Sequence, residues 1–246
     1  MIKFFRHIRQ QLIQENKMGK YFKYAIGEIL LVVVGILIAL QINNWNENRK
    51  DQQQLKNYYQ QLSAELELDI SAIKFSIASL ENDRKQFKIL TDKLSKPILN
   101  MDTILKIYNS ADFMIENTTF KTKTISVLLS TGDIKLINSK IKNALLALQD
   151  EQEDHLIDSN ERFTFYTNMV GALNYLFPLN KELWDNQEEL KNTLKVNVKQ
   201  IEEIPILNKA LQTRDSSNKA DLAELNNILN LTEELQRFIK VELEKL

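Results

Sequence analysis

The chain has 246 residues, 43% of them hydrophobic and 26% charged, and a formal net charge of −1, the composition of a folded protein rather than a disordered one. Five glycines and three prolines are few for this length and favour long helices over turn-rich β structure. The absence of cysteine excludes a disulfide framework, a thiolate metal site and a cysteine nucleophile.

Residues 1–23 form a basic segment with its own pattern. Ile2, Phe4, Phe5, Ile8, Leu12 and Ile13 fall largely on one helical face, with Lys3, Arg6, Arg9 and Gln10 on the others. An amphipathic helix of this kind either lies on an anionic leaflet, each basic residue adding about 1 kcal/mol, or serves only as an orientation signal.

YAIGEILLVVVGILIALQINNW follows. From Ile29 to Leu40 every residue is apolar or glycine, and accepting Glu28 extends the run from Ala25 to Ile42, about the length that crosses a hydrocarbon core. Tyr21, Phe22, Tyr24 and Trp45 stand where an aromatic belt belongs, which favours a span over the buried helix of a soluble domain. The long charged lead and the lack of a small-x-small site in Gln41–Trp45 favour an uncleaved signal anchor over a cleaved signal peptide. Residues 24–42 are therefore expected to form a transmembrane helix.

Lys3, Arg6, Arg9, Lys17, Lys20 and Lys23 precede the span against Glu15, whereas Arg49, Lys50 and Lys56 follow it against Glu47 and Asp51. Because Lys and Arg resist translocation, the N-terminus is expected in the cytoplasm and residues 46–246 outside it, with a net charge of about −5. Glu28 lies close enough to the basic flank to reach the interface, or else pairs with Lys20, Lys23 or a neighbouring subunit. Gly35 and Ala39, with Gly27 on the same face, form a small-xxx-small pattern through which two copies could associate.

MIKFFRHIRQ, then ENKMGKYFKYAIGEI, then LLVVVGILIALQINNWNENRK together carry the pattern FFRxIRQ…YAIGEIxLVxxGILIALQxNNWNE. This pattern resembles a family of uncharacterised single-span membrane proteins from Bacteroidota, classed as a domain of unknown function. FKTKTISVLLSTGDIKLINSKIKNALLAL is similar to that family's middle block of a short helix, a turn and a return helix. The resemblance implies membrane location and a common architecture; it carries no assigned activity, so it transfers no catalytic residues.

Beyond Trp45 one helix is expected to about Ser95, roughly 70 Å long unless a break at NNWNEN shortens it. Tyr59, Leu66, Ile73, Leu80, Phe87 and Leu94 recur every seven residues, with Leu62, Ile70, Ile77 and Leu90 beside them. Asp69, Ser76, Asp83 and Arg84 interrupt the stripe, which favours packing within the chain over a dedicated coiled-coil dimer. Short helices are expected near Asp102–Asp112 and Lys123–Thr131, the second closed by Gly132 and separated from the first by a variable loop, ENTTFKTKT. A second long helix should run from about Asn138 to Phe177, with Ile141, Leu145, Leu148, Leu156, Phe163, Tyr166, Val170 and Leu173 inward. A third, capped by Asp185-x-x-Glu188 and carrying Leu190, Leu194 and Ile201 inward, should stop at Pro205. The last should start after Arg214-Asp215-Ser216-Ser217 and bury Leu222, Leu225, Leu229, Leu235, Ile239 and Leu243. The expected fold is all-α, with one outer domain, 46–246, built as an antiparallel bundle of four long helices.

Chemistry-bearing motifs are sparse. Glu151, His155 and Asp158 share a helix face, with Asp154 beside them, and are candidate metal ligands. Gln152 stands where a Glu-x-x-His motif needs glutamate, and the other histidine, His7, precedes the span, so a solvated acidic face is the simpler reading. There is no phosphate loop, no dinucleotide fingerprint and no glycine-rich elbow around a serine, and the outer domain is acidic. No catalysis, cofactor or nucleic-acid partner is expected. The function that remains is a periplasmic interaction or sensory module, partnered by the bilayer and by a second copy or another membrane protein. The alternative is a membrane-anchored metal-binding protein or enzyme using the acidic histidine face.

Overall fold

The computed structural model describes residues 18–95, 103–104, 106–107, 118–173, 188–193 and 196–246. The expected amphipathic segment before Met18, most of the Asp102–Asp112 helix and the Asp185 cap lie outside these residues. Among the described residues every regular element is helical. We number them α1 (Met18–Leu94), α2 (Lys123–Thr131), a 3-10 turn (Asp133–Leu136), α3 (Ser139–Gly171), α4 (Glu188–Thr193) and α5 (Val196–Leu243). The chain divides into two units, Met1–Asn57 and Tyr58–Leu246, the boundary falling inside α1.

α1 passes through NNWNEN without the break that the asparagines suggested. Asn43 donates to Glu47 Oε1 (3.1 Å), so a side chain that could have competed for the backbone is spent on a pair one turn along the helix. In the second unit the α1 stripe faces inward: Tyr59, Leu62, Leu66, Ile73, Leu80 and Leu90 are buried. Asp69 and Ser76, which interrupt the apolar pattern, are buried in the same row.

α2 starts and stops where the sequence placed it. Gly132 takes φ 76° and its N–H bonds to the Leu129 carbonyl (3.3 Å), a left-handed cap that an L side chain would resist. Asn138 then opens α3 by accepting from the Lys140 N–H (2.9 Å). The turn between them docks on α1: Tyr58 donates to Asp133 Oδ2 (2.7 Å), and the Tyr59 hydroxyl accepts from the Asn138 N–H (3.2 Å).

α3 ends at Gly171 rather than near Phe177. Its inward row continues from Leu148 through Gln152 and His155 to Tyr166, so Leu156, one position off that row, is 41% exposed. The apolar residue lost to the helical step, and two polar residues took the buried places.

α5 departs most from expectation, because neither Pro205 nor the Arg214–Ser217 stretch ends it. Pro205 removes one N–H from the helix, but it sits on an exposed face next to exposed Ile201 and Ile206, where water can satisfy the freed carbonyl. Ile201, expected inward, therefore faces out, while Leu207, Ala210 and Leu211 hold the buried side. Ser217 and Asn218 are buried too, so the polar run that suggested a turn is a contact surface. The end of the expected third helix and the expected last helix are thus one element, α5.

Contacts along α3 and α5 run in opposite order: Lys140 lies over the Phe238 ring, Glu151 meets Asn227, and Arg162 meets Asp221. The Lys74–Glu233 and Arg84–Asp215 pairs show the same reversal between α1 and α5. One apolar cluster joins Leu90, Leu173, Leu207 and Leu211, with Phe87, Leu94 and Ile204 packed against it.

Candidate functional site

The first unit is defined by its apolar helix surface. α1 contains an 18-residue apolar window of which no part is buried, long and apolar enough to cross a membrane. Every residue from Ile29 to Asn44 is exposed. Nothing lies within 4 Å of where a Cβ would stand on Gly27 or Gly35, and Ala39 is exposed as well, so the small-residue face is open. Glu28 is half-buried on the same helix. Trp45 is exposed, and the Arg49 guanidinium stands 5.9 Å from its ring centroid, a cation–π geometry that leaves both groups facing outward.

In the second unit the sequence-predicted ligands separate. Glu151 is exposed and accepts from Asn227 Nδ2 (2.9 Å); Asp158 is exposed, 3.9 Å from Arg162 Nη1; His155 alone is buried. Its true neighbours come from α5. His155 Nδ1 donates to Glu224 Oε2 (2.7 Å), and Arg162 Nη2 donates to both Glu224 Oε2 (2.7 Å) and Asp221 Oδ1 (2.6 Å), with Arg162 Nε also on Asp221 (3.2 Å). Phe120 meets the imidazole edge to face at 6.2 Å. Sequence spacing could reveal the α3 half of this constellation but not Asp221 and Glu224, about sixty to seventy residues away.

Electrostatics tie the cluster together. Burial opposes ionisation of Glu224, yet the hydrogen bonds from Arg162 and His155 outweigh it and hold the carboxyl below its usual range. Burial also works against charge on Arg162, and Glu224 and Asp221 overcome it, so that guanidinium is held above its usual value. Arg214 is the reverse case: burial dominates and lowers it despite Asp221 and Asp83. Its guanidinium lies 6.0 Å from the ring centroid of Tyr166, whose buried hydroxyl is pushed up to about 12.

His155, Asp221 and Glu224 offer ligand atoms within 4.8 Å of one another. They fit a divalent cation poorly, because Arg162 already stands at hydrogen-bond distance from the same carboxylate oxygens and supplies the positive charge. A cavity of about 20 Å³ adjoins them, with Ser76, Asp83, Thr118, His155, Arg214 and Asp221 in its walls. That volume suits a single water and is far below the roughly 300 Å³ at which small-molecule pockets begin. A larger groove of about 380 Å³, lined by Glu67, Lys74, Glu233, Arg237 and Lys240 among others, opens to solvent between α1 and α5.

Residues 28–177 match DUF6090, described as a family of unknown function. The match begins at Glu28, so it does not reach the FFRxIRQ opening, and it ends before α5, which supplies Asp221 and Glu224. No curated protein and no solved structure matches the chain.

Proposed function

The chain belongs to DUF6090, a family of unknown function, and we propose that it is a single-pass inner-membrane protein with a non-catalytic interaction or sensory module in the periplasm. The observation that carries this reading is the unburied apolar window of α1. Fully burying a Leu, Ile or Val side chain is worth about 1.5–3 kcal/mol. More than ten such side chains stand exposed between Ile26 and Ile42, and a bilayer is the cover that suits them.

The flanking charge favours a cytoplasmic N-terminus, and Trp45 with Arg49 suits the opposite interface. On the outer side, the second unit is an antiparallel helical bundle. Among the described residues Arg162, Asp221 and Glu224 engage one another, and the two cavities beside Asp221 and Asp69 are water-sized, which favours recognition through the surface over turnover of a substrate. The open groove between α1 and α5 and the small-residue face of the span are the surfaces available to partners.

A reporter active only outside the cytoplasm, fused after Leu246, should be active, and the fusion should resist alkaline extraction from membranes. Activity confined to a cytoplasmic reporter would reverse the orientation, and release into the soluble fraction would remove the span.

A further inference from the structure

α2 begins without a cap of its own, since the Thr122 side chain makes no capping bond. Two carboxylates one turn apart on α1 receive instead an N–H of its first turn and one just before it. Glu65 accepts from the Thr124 N–H on both oxygens (3.2 and 3.1 Å) and from the Thr124 hydroxyl (2.8 Å). Asp69 accepts from the Lys121 N–H on both oxygens (2.9 and 3.2 Å) and is 1% exposed. Gln152 of α3 also bonds Asp69 through its side chain. All five residues lie within the stretch that matches the family.

The surroundings of Asp69 can serve either protonation state. Ionised, it accepts from Lys121 and from the Gln152 amide. Protonated, it keeps the Lys121 bond on one oxygen and donates its O–H to the Gln152 carbonyl, because a glutamine side chain offers both a donor and an acceptor. The charged groups facing it are Glu65 on its own helix and Lys121 before α2; α3 presents the neutral Gln149 and Gln152. A cavity of about 20 Å³ against the pair has no α5 residue in its walls and leaves room for the carboxyl to adjust.

We propose that Asp69 is a proton-operated latch, whose protonation fastens the 118–131 segment to α1 and α3 and whose ionisation loosens it. The ionised state places a desolvated charge beside Glu65 with only neutral or partly solvated donors to offset it. Burial, assisted by Glu65 and resisted by the Lys121 N–H, accordingly raises Asp69 from 3.8 to about 6. Between those values the docked form binds a proton that the undocked form has released. Docking is therefore tightest below about pH 4, weakens as pH rises towards about 6, and is constant above. With the module in the periplasm the latch would report ambient acidity; that clause rests on the proposed topology, whereas the latch does not.

Hydrogen exchange of the purified full-length chain in detergent micelles, read by mass spectrometry and corrected for intrinsic rates, tests the latch independently of orientation. Protection of peptides covering 118–131 should fall by up to roughly 30-fold from pH 4.5 to 7.5, while peptides from the α5 core around Ile228–Ile239 hold steady. In Asp69→Asn, a permanently neutral isostere, protection should stay at the acid level across the range. A flat profile in the unaltered chain, or an undiminished profile in Asp69→Asn, overturns the proposal. Should the variant fail to fold, the unaltered chain decides: protection of 118–131 that falls with the same midpoint as the carboxyl-carbon titration of Asp69 supports the latch, and protection that does not follow that titration overturns it.

Discussion

Arg162 is the residue on which the buried polar layer depends. It bridges Asp221 and Glu224 with bonds of 2.6 and 2.7 Å, and Asp221 has little solvent to fall back on. Removing one partner of a buried ion pair typically costs about 3–5 kcal/mol, because the remaining charge stays buried without compensation. Glu224 is about a third exposed and keeps His155, so Arg162→Met should fall at the low end, near 3 kcal/mol, in urea unfolding of the full-length chain. Adding Asp221→Asn to that variant should recover part of the loss; an unchanged midpoint in Arg162→Met would show that the layer contributes nothing. The pH dependence of this pair opposes that of Asp69. Glu224 is held below its usual range, so its contribution is present above the unfolded carboxyl value and disappears as pH falls through the lower folded value.

At the scale of elements, helix ends set by local backbone chemistry were legible, as was the stop of α1 at Leu94 just before Lys96-Pro97, whereas the stops read from Pro205 and from the Arg214–Ser217 run were not. Lys123–Thr131, its left-handed Gly132 and the Asn138 cap follow from local rules that act within a few residues, and the structure has them where those rules put them. Pro205 and the Arg214–Ser217 run were misread because their outcome depends on what lies opposite. Pro205 faces solvent, and the polar run faces Arg84, Tyr166 and the rest of the buried layer. The candidate site was half legible for the same reason: His155 carried a local signal, while its partners Asp221 and Glu224 are brought in only by the reversal of α5 against α3. If α5 is continuous because water satisfies the carbonyl freed by Pro205, alanine there should restore one helix hydrogen bond. Pro205→Ala should then raise the stability of the full-length chain by about 1–3 kcal/mol in the same urea assay. A loss of stability would mean that packing near Leu207 requires the local geometry that proline imposes.

For the whole molecule, the near-zero net charge conceals a basic lead of residues 1–23 and an acidic remainder. That asymmetry has a mechanical meaning if the apolar window spans the bilayer, since each Lys or Arg close to a span resists transfer across it. Six basic residues precede the window and three follow closely, the latter partly offset by Glu47 and Asp51. Replacing Lys17, Lys20 and Lys23 with glutamine while introducing Asn44→Lys, Asn46→Lys and Asn48→Lys reverses the bias without altering the apolar run. Under the proposed topology, a large fraction of such chains should insert with Leu246 in the cytoplasm, read as loss of activity from a periplasm-only reporter and gain from a cytoplasmic one. The glutamine substitutions alone should produce a smaller shift in the same direction. If neither set moves the reporter, orientation is fixed by something other than flanking charge, and the remaining source is the folded second unit, which translocates or stays behind as a whole.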